Sequence, residues 1–297
     1  MQSKVLAALL AASLGWGFAG VGTRFLFAEG ATTFTVVVGR ISVATVVVLI
    51  IGRRELPNIT ASAWRDGAII GVLRIGFAPA LFISSLQYVS AGVEGIFITL
   101  IPAATAALAA VFIHERLDRN QILGLLIGLF GTTLIIASGE SGISEGGDIR
   151  LGAAFALVGV VAGASSGVLA RKYAPRHKTT ELAVPMFVAG AAVVSVLGLV
   201  LRDIDVSSIA GVAWPVLVAL GVGSTFLPFF ATLFASRHAS AARVALTGYL
   251  APVIGVVAGV VLLDEVLTLP IVIGAALAIT GIVVAGRRSG VRRPATA

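Results

Sequence analysis

Long apolar stretches separated by short polar turns make up almost the whole chain. Each stretch is about twenty residues long, the length an α-helix needs to cross a hydrocarbon core about 30 Å thick. Transmembrane β-barrels are built from short alternating segments, whereas these stretches are continuously apolar. The pattern therefore predicts an all-α integral membrane protein with ten transmembrane helices, at residues 5–27, 33–51, 67–88, 91–113, 121–138, 151–173, 182–201, 213–236, 241–263 and 269–286.

The chain contains one of its segments twice. Residues 90–131 are echoed by residues 240–281 at a constant shift of 150. The shift pairs Gly17 with Gly167, Pro102 with Pro252, Glu115 with Glu265 and Gly131 with Gly281. A repeat this long indicates a duplicated structural unit. We expect a first five-helix repeat at 1–139, a linker at 140–150, and a second five-helix repeat at 151–297 that ends in a basic tail.

An odd number of helices in each repeat means that the two repeats cross the membrane in opposite directions. Inverted repeats of this kind build many secondary transporters, in which the substrate site lies near the midplane between the halves. A symmetric pair of bundles can open to one side of the membrane and then to the other. The repeat therefore predicts a carrier that works by alternating access.

Composition and charge support the membrane assignment and orient the chain. Hydrophobic residues make up 58% and charged residues only 12%, with a mean hydropathy of +1.06, whereas a soluble domain is about one quarter charged. Sixteen of the 21 lysines and arginines fall in the tails and turns on the side of the two termini. Because positive charge stays cytoplasmic, both termini are expected inside, in a multi-pass inner-membrane protein. The excess of basic over acidic residues is then explained by the orientation of the chain in the membrane, and no nucleic-acid partner is expected.

The residues that recur between the halves also form a family pattern: Trp16-Gly17, Pro102, Glu115-Arg116-Leu117 and the glycines from Gly124 to Gly131, repeated by Pro252, Glu265 and the span from Gly274 to Gly281. Over essentially the whole chain this pattern resembles the EamA type of the drug/metabolite transporter (DMT) superfamily. Within it, the chain is similar to YddG-like bacterial exporters of aromatic amino acids. The resemblance implies a basket in which helices 1–4 and 6–9 surround a central cavity, supported from outside by helices 5 and 10. It also implies export of amino acids or similar small metabolites.

Charged residues inside the predicted helices are the first candidates for the site, because charge in hydrocarbon is costly and usually faces a cavity. Arg40 lies in the second predicted helix, Arg74 in the third and Glu94 in the fourth. One interpretation is a salt bridge between Arg40 and Glu94 that holds two helices together. The other is a polar cavity wall that engages a carboxylate, which suits amino acids or organic anions.

The remaining cavity candidates are uncharged: Trp16, Ser84, Thr99 and Tyr249. Trp16 and Tyr249 lie deep enough to stack on a substrate, and the 150-residue shift pairs Thr99 with Tyr249. Pro102 and Pro252 each lie in mid-span, where proline kinks a helix. Such kinks serve either as hinges of a gate or as static bends. The turn glutamates and the glycine-spaced final helices of both repeats are expected to be structural.

Other function classes are weighed against the carrier. Drugs, nucleosides or other metabolites are alternative substrates, and a passive channel is a further alternative. Residues Gly163-Ala164-Ser165-Ser166-Gly167 match G-x-S-x-G, which raises an intramembrane serine hydrolase as an alternative. The three histidines fall at helix ends remote from this mid-span motif, and nucleophilic catalysis needs a base within reach. No enzyme activity is expected.

Without cysteine, no thiolate metal site forms, and neither cofactor nor metal is expected. The expected partners are a small-molecule substrate and the lipid bilayer, in an assembly compatible with a monomer.

Overall fold

A computed structural model describes residues 2–112, 119–139, 141–143, 147–173, 176–209, 211–238 and 241–286 of the 297-residue chain. At residues 2, 171, 179–180, 233–238, 241–249, 282 and 285–286 it describes the backbone alone.

Helices account for nearly all of the described chain, which contains no β-strand. We number the long helices α1 (Gln2–Ala28), α2 (Thr33–Gly52), α3 (Ala61–Ser85), α4 (Ala91–Phe112), α5 (Arg119–Ser138), α6 (Ile149–Tyr173), α7 (Thr179–Leu201), α8 (residues 213–238), α9 (Ala241–Leu263) and α10 (Leu269–Gly286). Within the described ranges, α1 to α8 are long and apolar enough to cross a membrane, and α9 and α10 hold shorter apolar stretches, Leu250–Leu263 and Leu269–Gly281. The all-α, multi-pass class is confirmed, whereas the count of ten spans stays a prediction.

Hydroxyl side chains set where three of the first helices begin. Thr32 precedes α2, Thr60 precedes α3 and Ser90 precedes α4, each with an extended backbone. Each side-chain oxygen accepts a hydrogen bond from the amide three residues later, at 3.4, 3.2 and 3.1 Å respectively. These bonds satisfy amides that have no partner inside the helix. Local sequence therefore fixes these helix starts.

The contacts between helices follow the same pattern when each helix is replaced by its counterpart in the other half. Helix α1 packs on α9 as α6 packs on α4, and α3 packs on α7 as α8 packs on α2. Gly17 lets α1 approach α9 closely at Ile254, and its repeat partner Gly167 lets α6 approach α4 at Thr105. Each half is thus completed mainly by helices of the other half.

Helices α5 and α10 pack against each other through small residues. A Cβ on Gly131 would lie 2.7 Å from the carbonyl oxygen of Gly274, and one on Gly281 would lie 2.5 Å from that of Gly124. Ala278 is buried in the same contact. The prediction that these glycine-spaced faces serve close helix packing is confirmed.

Two cores of buried side chains flank the middle of the protein. One joins α2, α3, α7 and α8 through residues such as Ile41, Ile70, Phe187 and Leu217. The other joins α3 to α6 with α10 through residues such as Phe97, Ile135, Val160 and Ile271. Both cores draw on helices of the two halves, so the halves fold around each other.

Both α3 and α8 contain a π-helical segment at a corresponding place. The segments are Val72–Phe77 and Leu220–Phe226, and the last residue of each begins a Phe-x-Pro sequence that ends at Pro79 or Pro228. Proline lacks an amide hydrogen and its ring clashes with the carbonyl of the residue four positions earlier. The preceding turn is therefore wider than an α-helical turn in both halves.

Prolines of the fourth helix in each half have different effects. Helix α4 consists of Ala91–Ile98 and Ile101–Phe112, with a break immediately before Pro102. Helix α9 continues through Pro252. The predicted bend is therefore a helix break in the first half, and the gating role of both prolines stays a prediction.

We expect Gly281→Ala to destabilise the protein by about 1–3 kcal/mol, because the new methyl group meets backbone atoms that cannot move aside. Gly223→Ala is the matched control, since a Cβ there meets no atom of another described helix within 4 Å. The control should be neutral or gain up to about 1 kcal/mol. Thermal unfolding in detergent micelles measures both, and equal melting temperatures for the two variants would contradict the described α5–α10 contact.

Candidate functional site

A cavity of about 150 Å³ lies between the two halves of the chain. Its polar and aromatic lining comes from Trp16 on α1, Arg40 on α2, Arg74 on α3, and Ser224 and Thr225 on α8. Arg74 belongs to the π segment of α3, and Ser224 and Thr225 belong to that of α8. The cavity is therefore the place where the two irregular segments meet.

Arg40 binds the π segment of the opposite half. Its Nε donates to Thr225 Oγ1 at 2.7 Å, and its Nη2 donates to the Ser224 carbonyl oxygen at 3.2 Å. Pro228, four residues after Ser224, has no amide to give that carbonyl the usual α-helical bond. Arg40 supplies a donor there, so its guanidinium holds the far wall of the cavity in place.

Arg74 is disposed differently. Its side chain lines the same cavity and retains exposed surface, although it lies in the middle of α3. Across the described part of the chain, no hydrogen bond or ion pair to Arg74 is found. A guanidinium carries five N–H donors and keeps its charge in proteins. With respect to the described residues, all five donors of Arg74 are thus free to bind a ligand in the cavity.

Trp16 supplies an aromatic surface beside these charges, with 38% of the residue exposed. Of the sequence-predicted candidates, Trp16, Arg40 and Arg74 come together in this one cavity. Their assignment to substrate stays a prediction.

Glu94 lies apart from the cavity lining. It is 7% exposed, and among described residues it has neither a hydrogen-bond donor nor a cation within 4.0 Å. Arg40 is near enough to attract it electrostatically. The predicted Arg40–Glu94 salt bridge is wrong as a direct contact, because the hydroxyl and carbonyl groups of α8 occupy the guanidinium of Arg40.

The other candidates also lie outside this cavity. Ser84 donates to the Ala80 carbonyl at 2.8 Å within its own helix. Thr99 donates to Ile96 at 2.6 Å and, with Pro252, lines a separate cavity of about 140 Å³ whose other walls are apolar. The side chain of Tyr249 lies outside the described part of the structure.

Neither Ser224 nor Thr225 was predicted from the sequence to line the cavity. A signal for both was present, because Phe77-Ala78-Pro79 and Phe226-Leu227-Pro228 repeat at a spacing of 149, one short of the shift used elsewhere. A repeated proline of this kind marks a helix with an irregular turn, where polar groups become available.

A second group of polar residues joins the two halves at one end of the helices. Glu265, in the turn between α9 and α10, accepts hydrogen bonds from the amides of Ala91 at 2.7 Å and Gly92 at 3.3 Å. Arg24 Nε lies 3.4 Å from Glu265 Oε1, and the Glu265 side chain is 4% exposed. The carboxylate therefore meets both the positive N-terminus of α4 and a cation.

Arg24 also joins the neighbouring helix end. Its Nη1 donates to the carbonyls of Leu86 and Val89, each at 3.0 Å. Glu265 is structural, as predicted, but it caps α4 of the opposite half and not the helix that follows it. Thr268, directly before α10, does not act as its cap, because within the described residues its buried hydroxyl has no hydrogen-bond partner. Glu115, the counterpart of Glu265 in the first repeat, lies outside the described residues.

An acidic residue also caps α2 from the other half. Asp203, in the turn between α7 and α8, accepts the Phe34 amide at 2.9 Å through Oδ2. The Asp205 amide donates to Thr35 Oγ1 at 2.8 Å. Two turns of the second half thus complete helix starts of the first half.

The opposite ends of the helices are joined through Asp66. His177, between α6 and α7, lies 3.0 Å from Asp66 Oδ2, and Arg65 donates to Oδ1 from Nη2 at 2.9 Å. Ser166 is engaged within α6, where its hydroxyl donates to Gly163 at 2.6 Å. His114 and the side chain of His238 lie outside the described residues.

Comparison with known proteins gives concordant matches. The model of the EamA-like transporter family matches residues 3–137 and 150–287. An uncharacterized transporter of Archaeoglobus fulgidus is 25% identical over 249 residues, 82% of this chain and 83% of that protein. A protein of Streptantibioticus cattleyicolor, named a probable terminal-alkyne amino-acid exporter, is 30% identical over 212 residues, 70% of this chain and 69% of that protein. One crystal structure shares the fold, with a TM-score of 0.65 and 21% identity over 96% of this chain and 98% of that chain.

We expect Glu265→Gln to lower stability by about 1.5–3 kcal/mol, because the charged acceptor of two amides and one guanidinium is lost. Glu29→Gln is the matched control, since Glu29 is an exposed acid at the end of α1. Thermal unfolding in detergent at low and high salt reports both. A Glu265→Gln protein as stable as the control would contradict the described role.

Proposed function

Since the chain belongs to the EamA-like transporter family, we propose that it exports amino acids, including aromatic ones, or similar small metabolites by alternating access. The observation that carries this proposal is the cavity between the halves, where Trp16, Arg40 and Arg74 face the π segment of α8. A cavity between two halves of a transporter can be reached from either side when the halves tilt. The relative named as a probable terminal-alkyne amino-acid exporter supports amino acids as the substrate class.

Different contacts join the two halves at the two ends of the helices. Arg24 and Glu265 join them at one end, and Asp66 and His177 join them at the other. In the proposed cycle, one set of contacts opens while the other holds. The break before Pro102 and the π segments are the places where helices bend, since irregular turns absorb such changes.

The proposed topology follows the charge pattern: ten spans, inverted repeats and both termini in the cytoplasm of a cell with an inner membrane. The Glu265 and Asp203 turns then face outward, and the Asp66–His177 contact faces the cytoplasm. This arrangement places most arginines and lysines inside.

Single cysteines test this topology without background, because the chain has no cysteine. Val206→Cys, exposed in the turn between α7 and α8, should react with a membrane-impermeant maleimide in intact cells. Asn58→Cys, exposed between α2 and α3, should react only after permeabilisation. The reversed pattern would place both termini outside and contradict the proposed orientation.

Counterflow in proteoliposomes tests the transport activity. Vesicles preloaded with each of a panel of unlabelled amino acids should accumulate a labelled amino acid with saturable kinetics. We expect Arg40→Ala and Trp16→Ala to lower the initial rate at least about tenfold, the effect of losing a charge-assisted hydrogen bond or a stacking surface. Arg150→Gln, at the exposed start of α6, is the control and should keep the rate.

Each other outcome of counterflow points elsewhere. Flux that does not saturate in the native protein would indicate a passive channel. Saturable exchange with nucleosides or drugs and none with amino acids would replace the substrate class while keeping the carrier.

A further inference from the structure

We infer that the cavity selects its substrate by a carboxylate bound to Arg74, and that an α-amino group is not required. This inference rests on the proposed function, because it concerns the ligand of the same cavity. It assigns different tasks to the two arginines, which the sequence alone treats alike.

The two guanidiniums of the cavity differ in their hydrogen-bond partners. Arg40 uses Nε and Nη2 to hold Thr225 and the Ser224 carbonyl, so it is a positioning residue for the cavity wall. Arg74 has no such bond within the described residues and faces the same space. A free planar fork of N–H donors matches a carboxylate in a bidentate geometry.

The second step is the charge of the cavity. Two guanidiniums in a space of about 150 Å³ give it a strong positive potential. Among the described residues that line it, none is acidic. The stretch 233–249, whose side chains are not described, contains no aspartate or glutamate. Charge buried at membrane depth is costly unless it is paired, so an anionic ligand stabilises this arrangement.

The third step is the place of a substrate ammonium group. Glu94, which interacts electrostatically with Arg40, does not line the cavity. An ammonium group next to two guanidiniums is repelled, and no carboxylate among the described lining residues offsets that repulsion. The carboxylate therefore provides the recognition, and Trp16 contacts the apolar part of the ligand.

A triplet of ligands with one side chain tests this assignment. Phenylalanine carries both charged groups. Phenylpyruvate carries the carboxylate without the amine, and phenethylamine carries the amine without the carboxylate. The leucine and alanine triplets extend the set to other sizes. We expect the zwitterion and the oxo acid to compete for counterflow at similar concentrations, and the amine to be at least about tenfold weaker.

Binding is measured separately by fluorescence. The chain has three tryptophans, so Trp64→Phe with Trp214→Phe leaves Trp16 as the single reporter in the cavity. Carboxylate ligands should change its emission with saturation. Arg74→Gln should raise the half-saturating concentration at least about tenfold, and Arg74→Lys should raise it less, because lysine keeps the charge but not the fork. Arg150→Gln is the matched control and should bind as the parent does.

The outcomes separate this inference from the proposed function. Saturable counterflow that requires the amine, or that is unchanged in Arg74→Gln, overturns the carboxylate assignment and leaves the carrier intact. Absence of saturable exchange with every ligand, together with no change in Trp16 emission, overturns both. Oxo acids that bind and exchange, with loss in Arg74→Gln, support the inference.

Discussion

Hydrocarbon offers no hydrogen bonds, and this constraint governs where the chain departs from a regular helix. Backbone irregularity at membrane depth is stable only where protein groups or a polar cavity complete it. The π segment of α8 meets this condition through Arg40, which binds the Ser224 carbonyl and the Thr225 hydroxyl. The irregular turn and the arginine thus depend on each other, and the cavity forms where they meet.

The same need explains how the helix ends of one half are completed by the other. Amides at the starts of α2 and α4 are bound by Asp203 and Glu265, which belong to turns of the second half. Helix dipoles favour such carboxylates. Together with the glycine contact between α5 and α10, these bonds connect the halves at their edges and leave the central cavity for polar residues.

Much of the fold follows from the sequence, because apolar length, repeated glycines and hydroxyl caps are local signals. The use of the glycine-spaced faces of α5 and α10 for close helix packing was predictable for this reason. Side-chain partners across the halves were not. Arg40 and Glu94 look complementary in sequence, yet Arg40 binds α8, since the choice depends on which acceptors the folded helices bring within reach. The π segments escaped notice because their prolines break the register of the repeat by one residue.

The cap that Glu265 places on α4 also sets an order for biosynthesis. Ala91 and Glu265 are 174 residues apart in the chain. The first half therefore enters the membrane with the amides at the start of α4 and the guanidinium of Arg24 without this partner, until the turn that carries Glu265 has been synthesised. Insertion of the first five helices alone thus leaves the start of α4 without its cap.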